Sequence, residues 1–394
     1  MTETIPEPAA FPLGAATTLA ELEEDPHSQL ARLREREPVS WIPVLDGWLV
    51  TRHDLAVEVM RDAARFTVDD PRFSTAQVVG PSMLSLDGRR HEDHRRPFAA
   101  PFRPLAVRER FAETVLADAE RLIEAFSVDG RTELRRRFAG PLAAVTIARA
   151  LGLAGDEVDA LLGWYEAIVA SVTEITGGGA PSQLGADAFA HLDERLMRVI
   201  ADHQHTSLLG DAAADSPLGQ DEIVSNAAVL LFGGIETTEG MILNATMYLL
   251  ADAGWVARAA GEVRALELCV EESLRLEPAA AMVDRYATTD TRLGSAEISA
   301  GDLLHVSITG ANRDPTLFAD PDRFEPARPG LRRHLTFAHG PHVCLGVHLA
   351  RLEATAGVGA LLKRLPQLRL EPGRASGARG LVFRKPPELH VTWG

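Results

Sequence analysis

Apolar residues recur at three- and four-residue spacing through most of the chain, so its pattern predicts helices before anything else. Pro26 to Arg36 and His53 to Asp62 carry that spacing. Between them, Val39–Pro43 and Trp48–Thr51 read as two strands joined by an Asp46-Gly47 turn. The stretch from Phe66 to Gly88 is interrupted by Pro71, Gly80 and Pro81, and predicts an irregular lid or binding loop. Helices are expected from Phe111 to Gly155 with a break at Gly130, from Asp156 to Thr176, and from Ala186 to Gln204. Gly177, Gly178 and Gly179 then form a hinge between the last two. A helical segment runs from Ile223 to Leu250, and between Ile223 and Ile235 it carries no charge at all, which marks a helix buried on every side. A further helix runs from Gly261 to Leu276 and is stopped by Pro278. Val283–Ala287 and later short apolar runs as far as Ile308 read as strands, with a turn near Gly294. Helical spacing returns at Leu345, Leu349, Leu352, Ala356, Leu361 and Leu362. Leu381–Phe383 and Leu389–Trp393 read as a closing hairpin. The fold expected is mainly α with a small β region.

Bulk properties narrow the function. Length alone, 394 residues, allows two or three domains. No linker divides the chain, so the reading is one large domain over 21–394, preceded by a loosely ordered Pro- and Ala-rich tail over 1–20. A net charge of −16 argues against a nucleic-acid partner. Two cysteines are too few for a disulfide framework and suit a reducing cytoplasm. Met1–Gly14 has neither a basic n-region nor an apolar run, so neither leader nor membrane partner is expected.

Three stretches carry chemistry. In Phe337-Ala338-His339-Gly340-Pro341-His342-Val343-Cys344-Leu345-Gly346, a Cys closes a Gly- and Pro-containing loop just before a helix. The helix N-terminus favours a thiolate there, and Gly346 leaves room for something flat. In the uncharged helix, Gly233 and Gly234 each weaken the helix by about 1 kcal/mol relative to Ala. Glu236 and Thr237 follow directly, placing a carboxylate beside a hydroxyl. Thr237 is spaced to bond the carbonyl of Gly233 one turn back, or a ligand instead. The third, Glu272-x-x-Arg275, is by itself a commonplace ion pair at helical spacing.

Together these stretches resemble the cytochrome P-450 family from about residue 25 to the end. Phe-x-x-Gly-x-His-x-Cys-x-Gly is similar to its haem-binding signature, in which the Cys is the axial ligand of iron. The family usually has Gly where this chain has Ala338. Gly-Gly-x-Glu-Thr-Thr is similar to its oxygen-activation helix. The resemblance implies haem b held by Cys344, with Phe337, His342, Gly346 and Gly233 around it. His91 and Arg95, one helical turn apart, and Arg285 would reach the propionates. Glu236 and Thr237 would relay protons. Glu272 and Arg275 would pair with an Arg before the Cys loop, Arg323 in preference to Arg328. Val79, Leu84, Leu230, Gly234, Ala281, Met282 and Leu381 would line an apolar substrate pocket, under a movable helix–loop–helix.

The function so implied is insertion of one oxygen atom of O2 into an apolar small organic substrate by hydroxylation, epoxidation or dealkylation. Electrons would come from NAD(P)H through a ferredoxin and its reductase, to a monomeric cytoplasmic enzyme. A peroxide-driven relative and a haem-based sensor are the alternatives. Retention of Glu236-Thr237 argues against the first, and a sensor would need neither that pair nor a gated organic pocket. Seven arginines between residues 89 and 110, with Arg332, Arg333 and Arg351 flanking the Cys loop, would form a basic patch on an acidic molecule.

Overall fold

The computed structural model describes residues 10–153, 158–176, 179–201, 207–214 and 216–394. In chain order the helices are α1 (Pro12–Ala16), α2 (Leu19–Glu24), α3 (His27–Arg36), α4 (His53–Arg61), α5 (Ser74–Val79), α6 (Gly88–Ala99), α7 (Pro104–Glu124) and α8 (Gly140–Leu151). They continue as α9 (Val158–Thr176), α10 (Gln183–Ala201), α11 (Leu208–Ala214), α12 (Gln220–Leu250), α13 (Ala253–Gly261), α14 (Val263–Leu276), α15 (Ile308–Ala311) and α16 (Val347–Arg364). A π turn over Arg135–Ala139 leads into α8.

Three small sheets complete the domain. Strands β1 (Val39–Ile42), β2 (Gly47–Val50) and β3 (Phe66–Thr67) join the later β5 (Met282–Ala287) and β8 (Leu303–Ser307) in the order β1-β2-β8-β5-β3. Only β2 and β8 run parallel in this sheet. Strands β4 (Arg131–Glu133), β9 (Arg369–Ala375) and β10 (Leu389–Thr392) pair in the order β4-β10-β9, and β6 (Thr291–Leu293) with β7 (Ala296–Ile298) forms a hairpin.

Helix α12, 31 residues long, is the axle of the molecule. Apolar residues on every side of it bury against α8, α10, α14 and α16, as its uncharged stretch requires. One row of positions breaks the burial: Leu230, Gly233, Gly234 and Thr237 are only partly covered, or open. Their spacing of three, one and three puts them on a single face, which is open at Gly233 and closely approached by Ile147 of α8 at Gly234.

Several expectations change here. The N-terminal tail, from residue 10 on, is built into the body. The Glu37 carboxylate accepts from the N–H groups of Leu13 and Gly14 at 2.9 and 3.0 Å, and Thr18 with Glu21 forms a reciprocal cap on α2. The irregular stretch from Phe66 contains β3 and α5. Leu381–Phe383 and Leu389–Trp393 do not pair with each other: β10 pairs with β4 and β9, while Phe383 bridges Ala280. Gly177 and Gly178, and the expected helix end at Gln204, lie outside the described residues. Among those described, no helix is long and apolar enough to cross a membrane.

Candidate active site

The Cys loop is tied at both ends before α16 begins. The N–H of Cys344 donates to the carbonyl of Phe337 at 2.8 Å, and the N–H of Ala338 to that of Leu335 at 2.8 Å. Gly340, at φ +76, lies so close to α4 that a side-chain carbon there would meet the Met60 carbonyl oxygen at 2.5 Å. Ala338 takes φ +58, the left-handed region that costs a residue with a Cβ about 1 kcal/mol or more. The loop therefore takes, at Ala338, a turn of the kind that glycine adopts without strain.

Cys344 is half-buried, and Gly346 sits at the cap of α16. Burial pushes the Cys344 thiol up, while the backbone N–H of Gly346 and the cations of Arg95 and Arg351 pull it down. Phe337 lies under the guanidinium of Arg351, 4.5 Å from its ring centre. Arg351 in turn grips Glu271 of α14 at 2.6 and 2.8 Å, and His334 takes the same carboxylate at 3.0 Å. This clasp, which sequence reading missed, fixes the loop from behind; Arg351 is consumed in it rather than left on the surface.

Glu272 points the other way along α14. Arg275 holds it through two parallel bonds of 2.8 Å, and the third member of the cluster is Arg328, whose Nε donates to Glu272 at 2.9 Å. Arg323, the expected partner, has a solvent-facing side chain and contributes only its carbonyl oxygen, which accepts from Arg275 and Arg328. The carbonyls crowding the buried side favour the arginine whose stem can be covered.

His91 and Arg95 share a face of α6, as their spacing requires. Arg95 reaches the carbonyl of Val343 at 2.6 Å, next to the Cys. His91 is buried and its Nε2 has no partner among the described residues, an arrangement that costs about 1–3 kcal/mol unless something supplies one. Burial, with the nearby His342 and Arg95, lowers the His91 pKa to about 4. His342 lies beside His91. Its ring stands 4.3 Å from that of His91, and its Nε2 meets the Asp87 carboxylate at 2.8 Å. Asp87 titrates at about 2; burial opposes this, but His342, Thr67 and the Val68 N–H all bond its charged form. Arg285 is buried, with a 2.7 Å bond to the carbonyl of Asp284.

On α12, Thr237 donates to the Gly233 carbonyl at 2.6 Å, the back-bond its spacing allows. Gly233 has open space where a side chain would stand, whereas one on Gly234 would strike Ile147 of α8 at 2.9 Å. Gly234 thus serves helix packing as well as the open face. Glu236 is buried beside Lys385 and Glu239, neither of which the sequence singled out. Val79 is buried at the end of α5 and Leu84 half-buried. Ala281, Met282 and Leu381 line a small cavity against Leu22, Pro26 and Leu30 of the N-terminal segment. Phe383, a little farther along, reaches α12, its ring centre 5.5 Å from that of Phe232.

A half-buried cysteine two residues before a helix cap, a buried histidine beside an arginine, and a helix with one open face are features that suit a haem-thiolate protein. The donors fit haem: thiolate for iron, and His91, Arg95 and Arg285 for its acidic edge. The chain belongs to the cytochrome P-450 family and is a P-450 monooxygenase. The family's own sequence model, described as cytochrome P-450, matches residues 258–375. Cytochrome P-450 107B1 of Saccharopolyspora erythraea is 30% identical over 88% of this chain and 89% of its own. The cytochrome P-450 monooxygenase PikC of Streptomyces venezuelae is 30% identical over 99% of this chain and 96% of its own. Among solved structures, P-450 BioI in complex with a hexadecenoic-acid-ligated acyl carrier protein superposes with a TM-score of 0.84. It is 27% identical, covering 94% of this chain and 99% of that one.

Proposed function

We propose that the protein hydroxylates, or otherwise inserts one oxygen atom into, an apolar small organic molecule, drawing electrons from NAD(P)H through a ferredoxin and its reductase. The observation that carries this reading is the open face of α12, an apolar row ending in a hydroxyl, inside a domain that also presents the Cys344 thiol. Bound haem supplies the oxygen chemistry, with a thiolate ligand favouring O–O cleavage. Cys344 would hold the iron; Arg95 and Arg285 would neutralise the acidic edge, the neutral His91 would hydrogen-bond to it, and Phe337 and Gly346 would flank the ring. Thr237 holds a proton at Oγ1 next to the open space at Gly233, and Glu236 resupplies it. Val79, Leu84, Leu230 and Phe383 exclude water and orient the substrate, with Ala281, Met282 and Leu381 behind them.

The reduced protein with carbon monoxide should show the absorbance band that names the family. Cys344→Ser should abolish it and Cys269→Ser should leave it, because burial drives the Cys269 thiol to about 12 and keeps it inert. A band that survives Cys344→Ser would overturn the assignment. Screening organic compounds for the spectral shift caused by loss of iron-bound water would then identify the substrate.

A further inference from the structure

Beside Glu236 lies a charge arrangement that the reaction as described does not use. The Lys385 ammonium stands 2.7 Å from Glu236 and 3.0 Å from Glu239, three residues along α12. Glu239 also holds Arg135 of the π turn, which keeps its proton because Glu239, Glu236 and Glu133 outweigh its burial. Glu133 of β4, the remaining acid nearby, is occupied by the N–H groups of Arg135, Arg136 and Leu389. Two carboxylates and two cations thus meet at the buried side of the α12 acid, yet they are shared unequally. Glu239 has a cation of its own and part of a second, whereas among the described residues Glu236 has a cation within ion-pair distance only in Lys385, with Arg135 acting on it from farther off.

The fold goes to some length to deliver this lysine. The segment 383–385 runs along the α12 row of Glu236, Gly240 and Asn244, each one turn from the next. Gly240 makes the close approach possible: a side-chain carbon there would meet the Ala279 Cβ at 2.8 Å and the Lys385 Cβ at 3.5 Å. Asn244 donates to the carbonyl of Arg384 at 3.1 Å. Arg384 itself is buried and anchored to Glu277 at 2.7 Å and to the carbonyls of Glu23, Gly380 and Ala378. The chain has 40 basic residues and only two lysines, Lys363 and Lys385. An arginine fork is shaped to take one carboxylate in both arms; an ammonium, with three rotatable donors, serves two acids at once.

We infer that Lys385 is a positioning residue of the oxygenation reaction: it holds the carboxylate of Glu236, the residue before Thr237, with Glu239 as the second acid that keeps the ammonium paired whenever Glu236 takes up a proton. The inference rests on Glu236 and Thr237 forming the proton relay. Without Glu239, each protonation of Glu236 would strand a buried ammonium; with it, the cation still has a carboxylate 3.0 Å away.

Infrared titration of the carboxylic-acid C=O band tests this without turnover. Losing the cation favours the neutral acid, so in Lys385→Met a band that Glu236→Gln removes should appear about one pH unit or more above its wild-type position. Lys385→Arg, which restores the charge, should return it to within about half a unit. In turnover, Lys385→Met should lower product formed per NAD(P)H several-fold and raise the solvent isotope effect, with Lys385→Arg recovering at least half the loss. A band that does not move in Lys385→Met, or that persists after Glu236→Gln, would overturn the inference. If Lys385→Met fails to fold, Glu239→Gln serves instead: Lys385 then belongs to Glu236 alone, the band should move to lower pH, and an unmoved band refutes the proposal. Thr237→Ala and Glu236→Gln in the otherwise wild-type protein should each lower coupling. Normal coupling in both would reject the relay itself, a different failure from an unmoved band.

Discussion

Arg328 and Arg323 show what a single side chain's burial is worth. Both are arginines just ahead of the Cys loop, but Arg328 is buried against Glu272 and Arg323 is 71% exposed. Removing one member of a buried, hydrogen-bonded charge cluster leaves the others without compensation, at a cost of about 3–5 kcal/mol. Arg328→Met should therefore lower denaturation stability by about that amount, whereas Arg323→Ala should change it by less than about 0.5 kcal/mol. Equal losses would mean that Glu272 accepts either partner. The sequence offers both arginines at workable spacing, and only the local path of the backbone decides which stem is covered. The same limit hid Lys385, whose partner lies about 150 residues upstream and follows no periodicity. Cys344, Gly233 and Thr237 were legible for the opposite reason, because each belongs to a short motif whose spacing is the geometry.

At the scale of an element, α14 works as a two-sided clamp. Adjacent carboxylates leave it in different directions, Glu272 toward Arg275 and Arg328, Glu271 toward His334 and Arg351. The second pairing has a pH signature. Burial alone would raise the Glu271 pKa, but His334 and Arg351 bring it down to about 2 from an ordinary 4.5. A depressed carboxylate contributes its stability above the unfolded value and loses it as pH falls toward the folded one. Between about pH 4.5 and 2 the protein should thus lose on the order of 3 kcal/mol from this group. Glu271→Gln should be less stable at neutral pH and show a shallower acid slope in urea titrations; an unchanged slope would place the acid sensitivity elsewhere, Asp87 being the next candidate. Helix α12 was readable almost residue for residue, since an uncharged run has only one place to go. The closing hairpin was not: two short apolar runs near each other in sequence pair by default, and nothing local announces that β10 prefers β4, some 260 residues away.

The whole molecule is acidic, and the distribution of its arginines becomes informative once their partners are known. Of the seven between residues 89 and 110, Arg89 and Arg96 lie near Asp93, Arg90 near Asp69 and Arg110 near Asp211, while Arg95 bonds the Cys loop. Arg103 and Arg108 are exposed and have no carboxylate partner among the described residues. They stand at the start of α7, which packs on α16 behind the Cys loop, with Leu105 exposed between them. An acidic ferredoxin docking there would gain association rate from complementary charge. Arg103→Glu or Arg108→Glu should slow ferredoxin-supported reduction, more so at low salt where screening is weakest, and leave peroxide-supported turnover nearly unchanged. An equal fall in both assays would make these arginines structural.

Arg384 sets the order in which the molecule can be completed. Its guanidinium is satisfied only by groups made earlier: the carbonyls at the end of α2, Glu277, and the turn at Ala378–Gly380. During synthesis from the N-terminus, every one of those groups waits for a residue that emerges more than 350 positions after the first of them. The C-terminal end of α2 lacks these bonds until then, and so does the seam that carries Lys385 onto α12. The growing chain should therefore remain open along this edge, and protease-sensitive near Glu23, until residue 384 has cleared the ribosome, when both closures arrive together.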